Sequence, residues 1–438
     1  MEEQARAQAI VEAYLADADQ AISARPGGTP PPRRSVQSRR DDGRFNEDLI
    51  AADRLLHESI RALPENYNFE IVKTVRRIRR ERARRVALQL PEGLQMFACT
   101  LADIFRRFGW DHDRDAEGCE VVILGDVTYG ACCVDDQTAA ALGCDFLVHY
   151  GHSCLVPVSE CAIRTMYVFV DIRWDVSHLV ACVQEEFREM PAERPRLTLV
   201  STIQFASALG ECAAALRQLD RFAEVEVPQA RPLSPGELLG CTAPIIDEKR
   251  PGESPAAPVV LLYVGDGRFH LESVLIHNPG LARAYRYDPY SKVLTRERYD
   301  LPGMMEARLT AIRRAARPET RRFGLIFGTL GRQGNPRIVQ RLQRALRESG
   351  KHYVTILCSE VSPQRLRCLA RSGIEAWIQV ACPRLSIDWG EELGPDGAPV
   401  LTPYEALVAL GKTPWRYDRY PMDYYAKNGG EWSNYHRE

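Results

Sequence analysis

Short runs of Val, Ile, Leu and aromatic residues recur along this chain, and most run into a Gly- or Pro-rich turn that opens a helical stretch. The runs are Val86–Leu90, Val121–Leu124, Phe146–Val148, Tyr167–Val170, Leu197–Val200, Val259–Val264, Gly324–Phe327, Tyr353–Leu357 and Ala376–Val380. A strand with one wet face alternates apolar and polar residues. A run that is apolar at every position is buried on both faces, which is the habit of parallel sheets covered by helices. The fold class expected is therefore α/β, built from parallel sheets.

The turns echo one another. The first strand of each repeat leads into Pro91-Glu-Gly-Leu94, Ser201-Thr-Ile-Gln-Phe205 or Gly328-Thr-Leu-Gly-Arg-Gln-Gly334, and a second strand leads into Gly125-Asp126, Gly265-Asp-Gly267 or Ser359-Glu360. The pattern predicts three similar α/β domains of roughly 110 to 120 residues each. Their expected bounds are 46–190 (with an N-terminal helix), 191–300 and 301–412, followed by an aromatic tail over 413–438. Residues 1–45 are expected to be a disordered extension, because RPGGTPPPRRSVQSRRDDGR has little apolar surface to bury. A helix from about Glu47 to Leu63 should end before Pro64.

A formal charge of −2 argues against a general nucleic-acid binder. No apolar stretch is long enough to span a bilayer, and Met1-Glu-Glu-Gln-Ala lacks the apolar core of a secretion signal. The expected location is the cytoplasm, with no membrane contact and no direct nucleic-acid partner. Thirteen cysteines, an odd number scattered through apolar segments, then read as reduced thiols and not as a disulfide framework.

Three of these thiols stand apart because each lies in a turn: Cys132 in GDVTYGACCVDD, Cys241 in PLSPGELLGCT and Cys382 in QVACPRLSIDWG. Ligands of open α/β sheets bind where strands end and loops begin. One inward-facing cysteine from each of three lobes would make a three-thiolate site. Such a set suits zinc with a fourth ligand, or a 4Fe-4S cluster with one open iron. Structural zinc usually draws on C-x2-C pairs, and none is present here. Sequence geometry alone does not choose between Cys132 and its neighbour Cys133.

The same motifs carry a family resemblance. VALQLPEGLQMFAC, GDVTYGACCVDD, HYGHSCLVPV, LVSTIQF, PLSPGELLGCT, YVGDGRFHLES, YRYDPYSKVL, GTLGRQGNP, QVACPRLSIDWG, LTPYEALVAL and YPMDYYA occur in order from about Tyr67 to Ala426. Together they resemble the catalytic-type first subunit of 2-(3-amino-3-carboxypropyl)histidine synthase, which begins diphthamide biosynthesis. The resemblance implies a 4Fe-4S cluster held by Cys132, Cys241 and Cys382, with Cys133 non-ligating. It implies cleavage of S-adenosylmethionine at the bond from sulfur to the γ-carbon, with transfer of a 3-amino-3-carboxypropyl radical to C2 of a histidine on elongation factor 2. It also implies a related second subunit, and a small redox protein as electron donor. The rival reading is a non-catalytic subunit stabilised by a cluster or by zinc.

Further residues gain a candidate role from this setting. Gly328, Gly331 and Arg332 lie in a strand-to-helix Gly turn whose N–H groups suit a carboxylate such as that of S-adenosylmethionine, though the string also reads as a plain tight turn. Gln204, Asp266 and His270 follow the corresponding strands and are further candidates for binding the co-substrate; Asp266 and His270 also read as ordinary helix caps. His149, His152 and Cys154 look like a metal box, but a strand followed by a turn splays them, which favours local hydrogen bonding. Seven arginines between Arg76 and Arg85 read as a solvated helix face, with an acidic partner as the alternative. The aromatic tail reads as a strap over the chain's own domains, with reception of a partner as the alternative.

Overall fold

The computed structural model describes residues 50, 53–110, 118–126, 128–189, 194–246, 257–281, 283–425, 430–434 and 436. The expected extension over 1–45 lies outside them. The chain divides into two compact units. One holds the residues up to Tyr129 together with Val134–Val170; the other holds Gly130–Cys133 together with Asp171 onward.

The first unit contains a sheet of four parallel strands, β1 (Arg85–Gln89), β2 (Glu120–Leu124), β3 (Phe146–Tyr150) and β4 (Arg164–Val168), in the order β2-β1-β3-β4. Every residue of β3 is buried, as a central strand covered on both faces requires. The apolar face of helix α1 (Ile71–Glu81) and helix α2 (Ala98–Phe108) supply much of the core, through Val75, Ile78, Leu101 and Phe105. Among the described residues the expected helix over 47–63 is interrupted: Ile50 is helical, Asp53 is not, and a helix resumes beyond it. It runs Arg54–Ile60, because the Asp53 carboxylate accepts from the Leu55 and Leu56 N–H groups and fixes the start there. The fourth strand also sits earlier than the apolar run Tyr167–Val170 suggests. Its register pairs Phe146 with Arg164 and Tyr150 with Val168, and Val170 turns to a φ of 57° beyond it.

The second unit contains two sheets. One has β5 (Arg196–Ser201), β6 (Glu224–Glu226), β7 (Val259–Val264), β8 (Arg283–Asp288) and β9 (Val293–Glu297), in the order β6-β5-β7-β8-β9. All its pairs are parallel except β8 with β9, which form an antiparallel hairpin. The other has β10 (Arg322–Gly328), β11 (His352–Cys358), β12 (Ala376–Val380) and β13 (Val400–Leu401), all parallel, in the order β11-β10-β12-β13. In each of these larger sheets the strand that comes second lies outside the first, and the third and fourth follow on the first strand's other side. This is the wiring of a doubly wound sheet. It opens a crevice at the carboxyl ends of the first and third strands, where the chain switches direction.

The repetition extends to the connections. β1 and β5 each run into a single short 3-10 stretch, Glu92–Phe97 and Ile203–Ala208, that continues directly into an α-helix. The second set of turns is not equivalent, however. Gly125-Asp126 and Ser359-Glu360 follow second strands, whereas Gly265-Asp266 follows β7, a third strand. The element missed at this point is β6, whose three residues Glu224–Glu226 are too few and too polar to announce a strand.

One buried ion pair fastens the last sheet to its helices. Arg308, in helix α3 (Leu301–Ala315), donates from Nε and Nη2 to the two carboxylate oxygens of Glu405 at 2.7 Å each, and from Nη1 and Nη2 to the carbonyls of Ser386 and Val400. A fully engaged guanidinium is the form in which a buried charge is tolerated.

Candidate metal centre

Gly130–Cys133, Cys241 and Cys382 all belong to the second unit. Cys132 sits on a single turn closed by the Cys133 N–H on the Gly130 carbonyl at 2.9 Å. Cys241 sits on the loop between β6 and β7. Leu238 N–H donates to the Ser201 carbonyl at 2.9 Å, and Ser201 N–H to that of Gly236 at 2.7 Å, so this loop is laid along the carboxyl end of β5. Cys382 is the cap residue of helix α4 (Pro383–Leu393), two residues beyond β12. Proline at the first helical position fixes that start without wasting an N–H. All three thiols are half-buried.

The Gly turn after β10 links two of these loops. Arg332 N–H donates to the Cys132 carbonyl at 2.8 Å. Gly331 has a φ of +53°, and a Cβ there would overlap the backbone of Cys133. A Cβ on Gly328 would press on Ala381, the residue before Cys382. The glycines thus let the turn lie against both cysteine loops. Arg384 joins the third. Its guanidinium, 1 % exposed, donates to the carbonyls of Gly240 at 3.1 Å and Phe269 at 2.6 Å, pairs with Asp388 at 2.9 Å and with Glu272, and stacks over the Phe269 ring.

The thiols feel one another. Cys132 is pushed well up by a hydrogen bond with Cys133, by burial, and by the charges of Cys133, Cys382 and Cys241. Burial raises Cys241 strongly, helped by the charges of Asp423 and Cys382. Burial pushes Cys382 up to about 11, against the lowering effect of the Arg384 backbone N–H. Gathered and half-buried, these thiols resist ionisation until a cationic centre compensates them, which is the chemistry of a thiolate metal site. Among the described residues no group of three His, Cys, Asp or Glu side chains is arranged to hold a single ion. Cysteine thiolates are the protein ligands of 4Fe-4S clusters, so the donor set fits such a cluster. Cys133 is a poor ligand candidate: it is fully buried, and its sulfur accepts from Gln333 Nε2 at 3.4 Å.

The other sequence-flagged residues fall as follows. Gly328, Gly331 and Arg332 lie against the cysteine loops, as described. Gln204 is half-buried in the 3-10 stretch after β5. Asp266 is exposed after β7, and its carbonyl accepts from the Tyr263 hydroxyl at 3.4 Å. His270 lies in the first turn of the helix Phe269–His277, with its ring edge-on to Phe269. Within the first unit, His149 is bonded through Nδ1 to Gln89 Oε1 at 2.8 Å and stands beside His152, while Cys154 is exposed. Local hydrogen bonding is therefore what the HYGHSC string provides there. The arginine run is largely engaged on its own surface: Arg77 pairs with Glu81 at 3.0 Å, Arg79 donates to the Phe108 carbonyl, and Arg85 pairs with Glu120. The tail packs as a strap, with Tyr420, Met422, Tyr424 and Trp432 buried and Tyr420 donating to Glu405 at 2.7 Å.

A family model described as "Putative diphthamide synthesis protein" matches residues 90–421. The chain is 48 % identical to 2-(3-amino-3-carboxypropyl)histidine synthase subunit 1 of Dictyostelium discoideum, over 89 % of this chain and 77 % of that protein. It is 51 % identical to the protein of the same name from Homo sapiens, over 87 % of this chain and 80 % of the relative. The chain belongs to the diphthamide synthesis family. Its fold is shared with a solved family structure, Dph2 from Pyrococcus horikoshii with a 4Fe-4S cluster, at a TM-score of 0.62 and 26 % identity, covering 80 % of this chain and 93 % of that one.

Sequence reasoning missed Arg384, Thr242 and Asp423 in this family member. Arg384 had a readable signal: Asp388 stands four residues on, the spacing of a helical ion pair. Thr242 and Asp423 lie within quoted motifs, but nothing in the sequence pairs them. They are far apart in the chain, and their hydrogen bond of 3.1 Å exists only through the fold.

Proposed function

We propose that this chain is the cluster-bearing transferase subunit for the first step of diphthamide synthesis. It takes the 3-amino-3-carboxypropyl group from S-adenosylmethionine to C2 of a histidine on elongation factor 2, in the cytoplasm. The observation that carries this reading is the gathering of Cys132, Cys241 and Cys382 in one compact unit from three distant turns. These three would hold a 4Fe-4S cluster, whose chemistry when bound is delivery of one electron to the sulfonium with scission of its bond to the γ-carbon.

The chain's own residues supply binding and order. The Gly328–Gly334 turn offers backbone N–H groups and Arg332 to the carboxylate of the co-substrate. Gln204, Asp266 and His270, at the strand ends of the other sheet in this unit, are proposed further contacts with it. Arg384 holds the Cys241 loop and the Cys382 helix in register, so that two of the three ligands are set before any metal arrives. The designation "subunit 1" in the relatives supports a related second subunit as partner. A small redox protein is the proposed electron donor. No helix among the described residues is long and apolar enough to cross a membrane.

The test is anaerobic reconstitution, reduction and incubation with S-adenosylmethionine. Release of methylthioadenosine, with transfer to elongation factor 2 when the second subunit is added, is expected. Protein that binds iron and sulfide but releases no methylthioadenosine would favour the non-catalytic reading, and zinc without iron would favour the zinc-stabilised one.

A further inference from the structure

The C-terminal strap reaches the loops that carry the cysteines. Asp423 Oδ1 accepts from the Thr242 hydroxyl at 3.1 Å and from the Tyr425 N–H at 2.9 Å. Thr242 follows Cys241, and its oxygen lies 3.7 Å from the Cys241 sulfur. The Tyr425 hydroxyl donates to the Arg332 carbonyl at 3.3 Å, and the Arg332 N–H donates in turn to Cys132. Tyr424 is buried, and the charges of Cys382 and Cys241 both raise its phenol, after burial and Glu405. Asp423 and Tyr425 lie beyond the 90–421 span of the family match.

We propose that Asp423 is a positioning residue that sets the electron affinity of the metal centre by holding a fixed negative charge beside the Cys241 ligand. This rests on the cluster reading of the three cysteines. Two donors converge on one carboxylate oxygen and fix it beside the Cys241 loop. A reduced cluster carries one more negative charge than an oxidised one, so a carboxylate next to a ligating thiolate disfavours reduction and lowers the potential. A low potential suits a centre that must give an electron to a sulfonium. The strap thereby couples the fold of the chain's last residues to the redox work of a site built far upstream.

The test uses full-length protein, reconstituted without oxygen, with iron and sulfide analysis and a redox titration followed by electron paramagnetic resonance. Asp423→Asn keeps the hydrogen-bond acceptor and removes the charge. Its midpoint potential should rise while iron and sulfide per chain stay at the wild-type level, and Asp423→Glu should restore the potential. Thr242→Val keeps the carboxylate but removes its tie to the Cys241 loop, and should shift the potential the same way by less. It decides the matter if Asp423→Asn fails to load. An unchanged potential in the loaded Asn variant, or in Thr242→Val where that variant decides, overturns the inference and leaves the cluster reading standing. A wild-type chain that takes up no iron and sulfide sinks both.

Discussion

Arg384 donates from Nη1 to the carbonyl oxygen of Gly240 at 3.1 Å, joining the residue before Cys241 to the helix that Cys382 caps. The same guanidinium neutralises Asp388 and Glu272. Removing one member of a buried ionic group strands the others. Arg384→Met should therefore cost about 3–5 kcal/mol in urea unfolding, near the top of the range for single substitutions. Arg384→Lys keeps a charge but cannot serve four partners, so it should lie between, with less iron retained per chain. Wild-type stability and iron content in the Met variant would show that the clamp is ornamental.

Cys132→Ala, Cys241→Ala and Cys382→Ala should each abolish stable iron and sulfide binding after anaerobic reconstitution, since three thiolates are the whole protein contribution to the proposed cluster. Cys133→Ala should load close to normally. The pair is discriminated by exposure and by the Gln333 contact, so the reverse pattern, loss with Cys133 and retention with Cys132, would reassign the ligand.

Gly331→Ala tests the close approach of the Gly turn to the Cys132 loop. The new Cβ meets the Cys133 backbone, and a φ of +53° is unfavourable for alanine. A loss of about 1–3 kcal/mol is expected from backbone strain, with more where the overlap forces the loops apart. The readout is the thermal midpoint of the metal-free protein, compared with Gly350→Ala, where φ is +64° and nothing lies within 4 Å of the added carbon. Equal losses in the two would remove the steric argument and leave only the backbone one.

Burial pushes His152 from its ordinary 6.5 down to about 4, offset in part by the Tyr150 backbone, and burial with the charge of His152 lowers His149 further. A folded-state pKa below the unfolded one means the native state prefers the neutral ring. The stabilisation is complete above pH 6.5 and is lost as pH falls from there through about 4, at up to about 1.4 kcal/mol per pH unit for each histidine. The urea midpoint should drop between pH 7 and pH 5, and His152→Gln should flatten that slope. A midpoint independent of pH in the wild type would count against it.

The parallel sheets were legible because their central strands are apolar at most positions, and Val259–Val264 and Ala376–Val380 match to the residue. What escaped was paired through geometry and not through composition. The β8–β9 hairpin, RAYRYD and VLTRE, is half polar because it closes an edge. The strand β6 is three residues held by register with Arg196–Thr198. Missing it misaligned the second turn of the middle repeat. At the proposed site, the three turn cysteines were picked out by their Gly and Pro surroundings. The Thr242–Asp423 bond spans most of the second unit's sequence, and no local pattern encodes it.

The common wiring of the three sheets has an awkward consequence for anyone searching by internal symmetry. Cys132 and Cys241 both lie on the connection from a second strand to a third, and the matching connection in the last sheet begins at Cys358, the final residue of β11. Superposing the repeats would nominate that thiol as the missing donor. Yet Cys358 already donates to the Glu360 carbonyl at 2.8 Å, and the sulfur grouped with the other two comes from the far side of a third strand. A shared strand order therefore does not carry a shared cysteine position, and the proposed cradle is lopsided by construction.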